Sequence, residues 1–332
     1  MKDIVIALDI GGTSMKGAIV EENGNILYKE SFDVNANHTT EEHKKRIKEV
    51  IEKLKSHIPA DYKAIGLGID SPGVMNKETL HLGGAENIPG LHGLKFSDIG
   101  NLFNLPVKTV NDASAAALGE AKYGSGKEKN YQSIMFITLG TGVGGGFVLN
   151  GKLFTGALGG AGELGHVFVV PDGDRCNCGS SGCIERYASA TGFINMAKQK
   201  IHKNLIPTTL TYEKLDKGKA KALFDAAKNG DILAKETIAE CSYYLGMSIA
   251  QALNMLDLDL VLIGGGLCKD FDMMINDIKR GVQNYGLRMM VGTDNKVHYP
   301  LTPKGRRKLG EKGIGRFSVE RLARKLQIIS SK

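Results

Sequence analysis

The feature that most restricts this chain is a pattern of apolar runs and tight turns that occurs twice. The first copy reads "DIVIALD", "GGTS", "MKGAIV", "ENGN" and "ILYKESFDV"; the second, from near Tyr131, reads "SIMFITLGTGVGGGFVLNGKLFTG". Short apolar runs broken by a glycine turn and then by Asn-Gly predict strand, turn, strand, hairpin and strand. Each copy continues into alternating helix and strand. In the first, Ile47, Val50, Ile51, Leu54 and Ile58 keep helical spacing over residues 41–57, and Thr39 with Glu42 fits a capping box. "AIGLGID" and "VKTVND" read as strands, the latter running into an Ala-rich helix over residues 113–122. In the second, helices are predicted over residues 187–203, 220–228 and 232–256, and "DLVLIGGGL" is a buried strand closed by glycines. The chain is therefore expected to be an α/β protein built by duplication, with ligand bound between its halves. Residues 1–122 would form the first half and 123–300 the second, with "GSGKEKN" as the hinge; residues 301–332 would be a basic tail.

The glycine turns limit the chemistry. GxxxxGK[ST] is absent, so the common P-loop is excluded. Gly140, Gly142 and Gly145 satisfy G-x-G-x-x-G, but the dinucleotide fingerprint needs a helix after its glycines, and here "FVLNGKLF" follows. A nicotinamide-type fold is thereby set aside. Turns between strands still bind phosphate through exposed backbone N–H groups. Asp9, Gly11, Gly12 and Thr13 would form one such loop, Gly140, Thr141, Gly142 and Gly144 a second, and Gly264, Gly265 and Gly266 a third. Any one of them alone reads first as a plain hairpin turn; three on apolar strands point to a nucleotide.

The formal charge of +7 suggests nucleic acid, but ten of the 43 Lys/Arg and two of the 36 Asp/Glu lie in residues 301–332. The preceding 300 residues carry 33 positive and 34 negative charges. Basicity belongs to the tail, and nucleic acid is not an expected partner of the body. No apolar stretch approaches the roughly 18 residues of a membrane span. "MKDIVIALDIGGT" reads as a first strand, not a leader, and five cysteines, an odd number, do not suggest a disulfide framework, so a cytoplasmic location is expected.

Three of those cysteines fall with a histidine in "GELGHVFVVPDGDRCNCGSSGCIE". His166, Cys176, Cys178 and Cys183 are either a metal shell or a reduced thiol cluster; Cys-x-Cys is tighter than the common Cys-x-x-Cys knuckle. Cys241 and Cys268 are expected in the core. His38, His43 and His57 read as exposed. Asp112, ending a strand before a helix, is either its N-cap or a general base.

Taken together, "LDIGGTSMKGAIV", "TVNDASAAALGEA", "LGTGVGGGFVLNGKLFTGALGGAGELGH", "CNCGSSGCIE" and "LVLIGGGL" resemble the ROK family of sugar kinases and repressors, within the actin-like, hexokinase-type (ribonuclease H-like) ATPases. The likeness runs in order from about residue 3 to about residue 290. It implies a two-domain fold with a central cleft. It implies that Asp9, Thr13 and Lys16 lie at the ATP phosphate and Mg2+ site, and that Gly264–Gly266 face the adenosine end. By the same likeness Asn111 and Asp112 match an Asn-Asp pair with Asp112 as catalytic base. Asn87, Glu163, His166 and Glu185 match sugar ligands, and His166, Cys176, Cys178 and Cys183 match ligands of a structural Zn2+. Full ligation leaves no open position, so such a zinc would pin the loop that carries Glu163, His166 and Glu185.

The activity so implied is ATP-dependent phosphorylation of a hexose, glucose at its 6-hydroxyl first, with N-acetylmannosamine, N-acetylglucosamine or another hexose as alternatives. A homodimer or homotetramer is expected on the same ground. Repressors of this family place a helix-turn-helix domain before the "DIGGT" strand, and here Asp9 is already that aspartate, so a sugar-responsive regulator is the lesser reading, beside a non-catalytic sugar sensor. The likeness lapses near the end: Leu309-Gly310 survives in "KLGEKGIGRFSVERL", but the family's following Ala and Gly pattern does not.

Overall fold

In the computed structural model, residues 1–76, 79–83, 88–126 and 131–287 are described. The expected 301–332 tail and residues 127–130 of the hinge lie outside them, as does Asn87. Two compact units emerge among the described residues: 1–132 with 146–162, and 133–145 with 163–287.

In the first unit, β1 (Lys2–Ile10), β2 (Ser14–Glu21) and β3 (Ile26–Asp33) form an antiparallel meander, and β4 (Tyr62–Ser71) and β7 (Val107–Asn111) add in parallel, giving the order β3-β2-β1-β4-β7. A small ribbon, β5 (Val74–Met75) with β6 (Leu82–Gly83), stands apart. The β2–β3 turn is the predicted Asn-Gly turn, with Gly24 at φ 86°.

Strand alternation divides β1 between two cores. Ile4, Ile6, Leu8 and Ile10 pack with Ile47, Val50, Ile51 and Leu54 of α1 (Thr40–Lys55) and with Phe96 and Ile99 of α2 (Phe96–Phe103). Val5 and Ala7 face the other way, toward Ala115 of α3 (Asp112–Tyr123). The capping box on α1 is present: Thr39 accepts from the Glu42 N–H, and Glu42 accepts from the Thr39 N–H at 2.7 Å. His43 corrects an expectation. It is fully buried, not exposed, because it lies one turn before Ile47 on the same apolar face, where Gly90 packs against its ring. His57 is exposed and stacks on Tyr28, ring centroids 3.9 Å apart.

The second copy of the pattern gives β8 (Ile134–Leu139), β9 (Val143–Leu149) and β10 (Lys152–Phe154), with β11 (Leu260–Gly264) parallel to β8; the order β10-β9-β8-β11 repeats the meander-plus-parallel arrangement of the first sheet. Asn150 and Gly151, at φ 52° and 71°, make the expected tight turn. Residues Gly146–Gly162 cluster with the first unit, and Gly146 shows why: a Cβ there would lie 2.7 Å from the Ala113 carbonyl of α3.

Helices complete the second unit: α4 (Glu185–Ala188), α5 (Ala190–Lys203), α6 (Tyr212–Lys228), α7 (Ile232–Leu256) and α8 (Ile275–Tyr285). The helix expected over 187–203 is broken at Ser189, which caps α5 by accepting from the Gly192 N–H. That expected over 220–228 begins earlier, with a break at Lys219 (φ 52°). Helices α7 and α8 touch backbone to backbone, since a Cβ on Gly246 would stand 2.2 Å from the Ile278 carbonyl. Cys241 is fully buried as expected and Cys268 half-buried; burial pushes the Cys268 thiol up to about 12. Among the described residues no helix is long and apolar enough to cross a membrane.

Candidate functional site

In the first unit, polar groups gather at the carboxyl ends of three parallel strands. Asp9 of β1 is in register with Asp70 of β4, and Ser71 with Asn111 of β7. Open α/β sheets bind ligands at such strand ends. Asp9 is mostly covered and pairs with Lys16, directly opposite on β2, at 3.1 Å. Gly11, Gly12 and Thr13 form the turn between them; the Gly11 N–H donates to the Ser14 carbonyl at 2.9 Å, and the Thr13 carbonyl accepts from Val34 at 3.1 Å. Sequence reading missed Asp70. It is only 4% exposed, on the same sheet face as Asp9, and a buried carboxylate is retained where charge is paired or put to use. Its signal was present, since "AIGLGID" ends in Asp just as "DIVIALD" does.

Asn111, not Asp112, caps α3. Its Oδ1 accepts from Ala113 at 2.9 Å and Ser114 at 3.3 Å, and its Nδ2 donates to the Gly73 carbonyl at 3.1 Å. One Nδ2 proton remains to be donated elsewhere. Asp112 is the first helical residue, with Oδ1 2.8 Å from the Ala113 nitrogen, where the helix dipole favours a negative charge. The Ala113 N–H is thus shared between the Asn111 cap and Asp112.

In the second unit, the turn carrying Gly140, Thr141 and Gly142 runs into a strand containing Gly144, as expected, so no helix follows the G-x-G-x-x-G. Its backbone is held on several sides. Gly140 N–H donates to the Gly142 carbonyl at 3.0 Å, Ala190 N–H to the Gly140 carbonyl at 2.8 Å, and Thr191 Oγ1 to the Thr141 carbonyl at 3.1 Å. Val143 N–H donates to Glu185 Oε2 at 3.0 Å. In the third turn β11 ends at Gly264, and Gly265 has φ 104°, where a Cβ would fall 2.2 Å from the Leu139 carbonyl. Only glycine fits there. Gly266 opens a 3₁₀ segment, Gly266–Met273, before α8.

The Cys/His segment closes on itself. Among the described residues, one group of His, Cys and acidic side chains is arranged to hold a metal: His166, Cys176, Cys178 and Cys183, with one ligand atom from each, all within 4.8 Å of one another. Cys176 Sγ is 3.6 Å from His166 Nδ1, and Cys178 Sγ is 3.7 Å from Cys183 Sγ. A tetrahedral ion with bonds of about 2.3 Å to sulfur and 2.05 Å to nitrogen needs edges of about 3.6 Å (S–N) and 3.8 Å (S–S). The donor set fits such an ion. Burial raises the Cys176 thiol, and burial followed by the neighbouring thiols takes Cys183 up to about 12; a backbone hydrogen bond at Ser180 lowers Cys178. Thiols so crowded ionise together only around a cation.

The segment also has a scaffold of its own. Gly179 and Gly182 take φ 92° and 73°, Cys176 N–H donates to the Ser180 carbonyl at 2.8 Å, and Asp174 N–H donates to Tyr187 Oη at 2.8 Å. Glu163 precedes a 3₁₀ turn, Leu164–His166, that ends in His166, and both are exposed; His166 turns Nδ1 to Cys176 Sγ.

The ROK family model matches residues 5–304. The chain is 36% identical over 298 residues to a glucokinase of Halalkalibacterium halodurans, covering 88% of this chain and 89% of the relative. It is 34% identical over 305 residues to a glucokinase of Thermotoga maritima, covering 90% and 92%. A ROK family glucokinase from Streptomyces griseus, solved with glucose and AMPPNP, matches with TM-score 0.68 and 28% identity over 97% of this chain and 99% of that one.

Proposed function

Since the chain belongs to the ROK family, with its actin-like α/β fold, we propose that it is an ATP-dependent hexose kinase acting first on glucose at the 6-hydroxyl. The observation that carries this reading is the row of carboxylates at the carboxyl ends of neighbouring strands, Asp9 in register with Asp70, and Asp112 directly after Asn111, where β7 ends.

Bound ATP with Mg2+ would supply the transferable phosphoryl group and neutralise part of its charge. Asp9, Thr13 and Lys16 would hold the metal and phosphates of the nucleotide. Backbone N–H groups of Gly11 and Gly12, and of Thr141 and Gly142, suit phosphate oxygens, because turns without side chains let the backbone approach. Gly264, Gly265 and Gly266 would face the adenosine. Glu163, Glu185, Asn111 and the outer nitrogen of His166 would orient the sugar by directional hydrogen bonds, with Asn87 as a further contact. Asp112 would take the proton of the attacking hydroxyl. An ordinary carboxylate, pKa about 3.9, is a weak base, and the contribution asked of it is about 10²–10⁴-fold.

The donor set of His166, Cys176, Cys178 and Cys183 suits zinc in a closed, structural shell that fixes Glu163, His166 and Glu185 in place. A cytoplasmic homo-oligomer accords with the family. The deciding experiment is ADP release measured against a panel of glucose, mannose, N-acetylglucosamine and N-acetylmannosamine. Turnover confined to an N-acetylated sugar would move the substrate assignment, and no turnover on any sugar would overturn the kinase reading.

A further inference from the structure

The second glycine turn and the Cys/His segment meet in a single carboxylate. Glu185 Oε2 accepts the Val143 N–H at 3.0 Å, and a Cβ on Gly142 would lie 2.4 Å from that same oxygen. Gly142 is thus a glycine for want of room, because the carboxylate lies directly on the turn. From the other side Gly165, inside "ELGH", backs the same residue: a Cβ there would be 2.2 Å from the Val143 carbonyl and 3.5 Å from Glu185 Oε2. Val143 is clamped by both halves of the Cys/His segment. Ala190 and Thr191 hold the next two carbonyls of the turn, at Gly140 and Thr141. Residues 185–191, which begin two positions after Cys183, therefore fix the turn's backbone. Glu185 is half-buried, and Oε1 makes no hydrogen bond among the described residues.

We propose that Glu185 is a positioning residue for the nucleotide turn as well as a sugar ligand, and that it couples the two binding events. Oε2 sets the turn, while Oε1 remains for a sugar hydroxyl. The inference rests on the kinase reading for its ligands, but its structural core, the Glu185–Val143 bond, does not. A hydroxyl on Oε1 fixes the carboxylate's rotamer, so a nucleotide arriving second meets a turn already ordered. Linkage makes the effect reciprocal, and couplings of this kind are typically about 5–150-fold.

The test uses the full-length, metal-loaded chain in three forms: wild type, Glu185→Ala and Glu185→Gln. Hydrogen exchange over residues 140–145 reports the bond without any ligand. Exchange at the Val143 amide is expected to accelerate at least tenfold in Glu185→Ala and to stay near wild type in Glu185→Gln, whose amide oxygen can still accept. Calorimetry with Mg2+ and a non-hydrolysable ATP analogue, no sugar present, should show binding about fivefold weaker or worse in Glu185→Ala, rescued in Glu185→Gln. In wild type, glucose should tighten analogue binding at least fivefold; in Glu185→Ala that gain should vanish.

Gly142→Ala provides a second route, because it keeps the carboxylate but pushes it off the turn. It should weaken glucose binding measured without nucleotide, an effect a purely local defect in the turn would not produce. Metal content and melting temperature equal to wild type identify the variants that remain folded. Unchanged Val143 exchange in Glu185→Ala, or unchanged glucose affinity in Gly142→Ala, would overturn the proposal. If no sugar on the panel alters analogue binding to wild type, the sugar assignment fails and the coupling with it. Faster Val143 exchange in Glu185→Ala would then still show that the positioning bond exists.

Discussion

Asn111 and Asp112 stand side by side at the start of α3, and Asn111 is its N-cap. Asn111 Oδ1 accepts from the second and third residues of the helix, Ala113 and Ser114, while Asp112 occupies the first helical position. Separating cap from carboxylate separates the effects of mutation. Asn111→Ala should destabilise the first unit by about 1 kcal/mol through loss of the cap. Asp112→Asn keeps an oxygen for the Ala113 N–H, so its melting temperature should match wild type while turnover falls by about 10²–10⁴. Near-normal turnover in a folded Asp112→Asn variant would remove Asp112 from the role of base.

The spacing of His166, Cys176, Cys178 and Cys183 predicts one zinc per chain. Metal analysis of the purified protein should find it, and Cys178→Ser should bring the content close to zero while lowering the melting temperature by several degrees. Glucose affinity should fall with it, because Glu185 follows Cys183 by two residues. A zinc-free protein with unaltered stability and sugar affinity would leave the four side chains without a structural role.

Much of this was legible before any coordinates, and the reasons are local. The Asn150-Gly151 pair predicts a tight turn, and both residues take positive φ; Thr39 and Glu42 cap one another three residues apart; and the four candidate metal ligands lie within eighteen residues. Longer-range facts were not legible. Val143 and Glu185 are 42 residues apart, and nothing in the turn's sequence says that Gly142 is small to admit a carboxylate. Gly146 likewise gives no sign that it rests on α3. His43 was misread for a different reason. Its position, four residues before Ile47, puts it on the apolar face, and its polar chemistry masked that spacing.

The burial of His43 has a consequence for pH. Burial, and next the neighbouring His38, lower its affinity for a proton below the ordinary histidine value; Glu42 and the Ala36 carbonyl oppose this more weakly. The ring of His38 meets it edge-on at 5.5 Å between centroids. With the folded value depressed, the unfolded chain takes up the proton first as pH falls below about 6.5. Stability is therefore fully present above that value and declines below it, by at most about 1.4 kcal/mol per pH unit. Urea unfolding at pH 7.5 and 5.5 should show this decline in wild type and a smaller one in His43→Leu. Equal declines in the two proteins would mean that the proton is taken up elsewhere.

Asp231 should behave as an acid-side counterpart. It caps α7 by accepting from the Ala234 N–H at 3.0 Å, and it ties down the preceding loop through Thr209 N–H at 2.6 Å and the hydroxyls of Thr208 and Thr209. Burial pushes its carboxyl up, but these hydrogen bonds outweigh burial and hold it below the ordinary aspartate value. A depressed folded value means that the stabilisation is complete above the unfolded pKa, near 3.9 or about 4, and is lost as pH falls through the folded value. Asp231→Ala should cost about 1–3 kcal/mol at pH 7, since it removes a helix cap and leaves the buried Ala234 N–H and the partly buried Thr208 and Thr209 donors without their acceptor. The gap between wild type and variant should then narrow as the pH is taken from 5 toward 3. A gap that stays constant across that range would show that the carboxylate's charge contributes nothing, and that the loss at pH 7 comes from the missing side-chain oxygens alone.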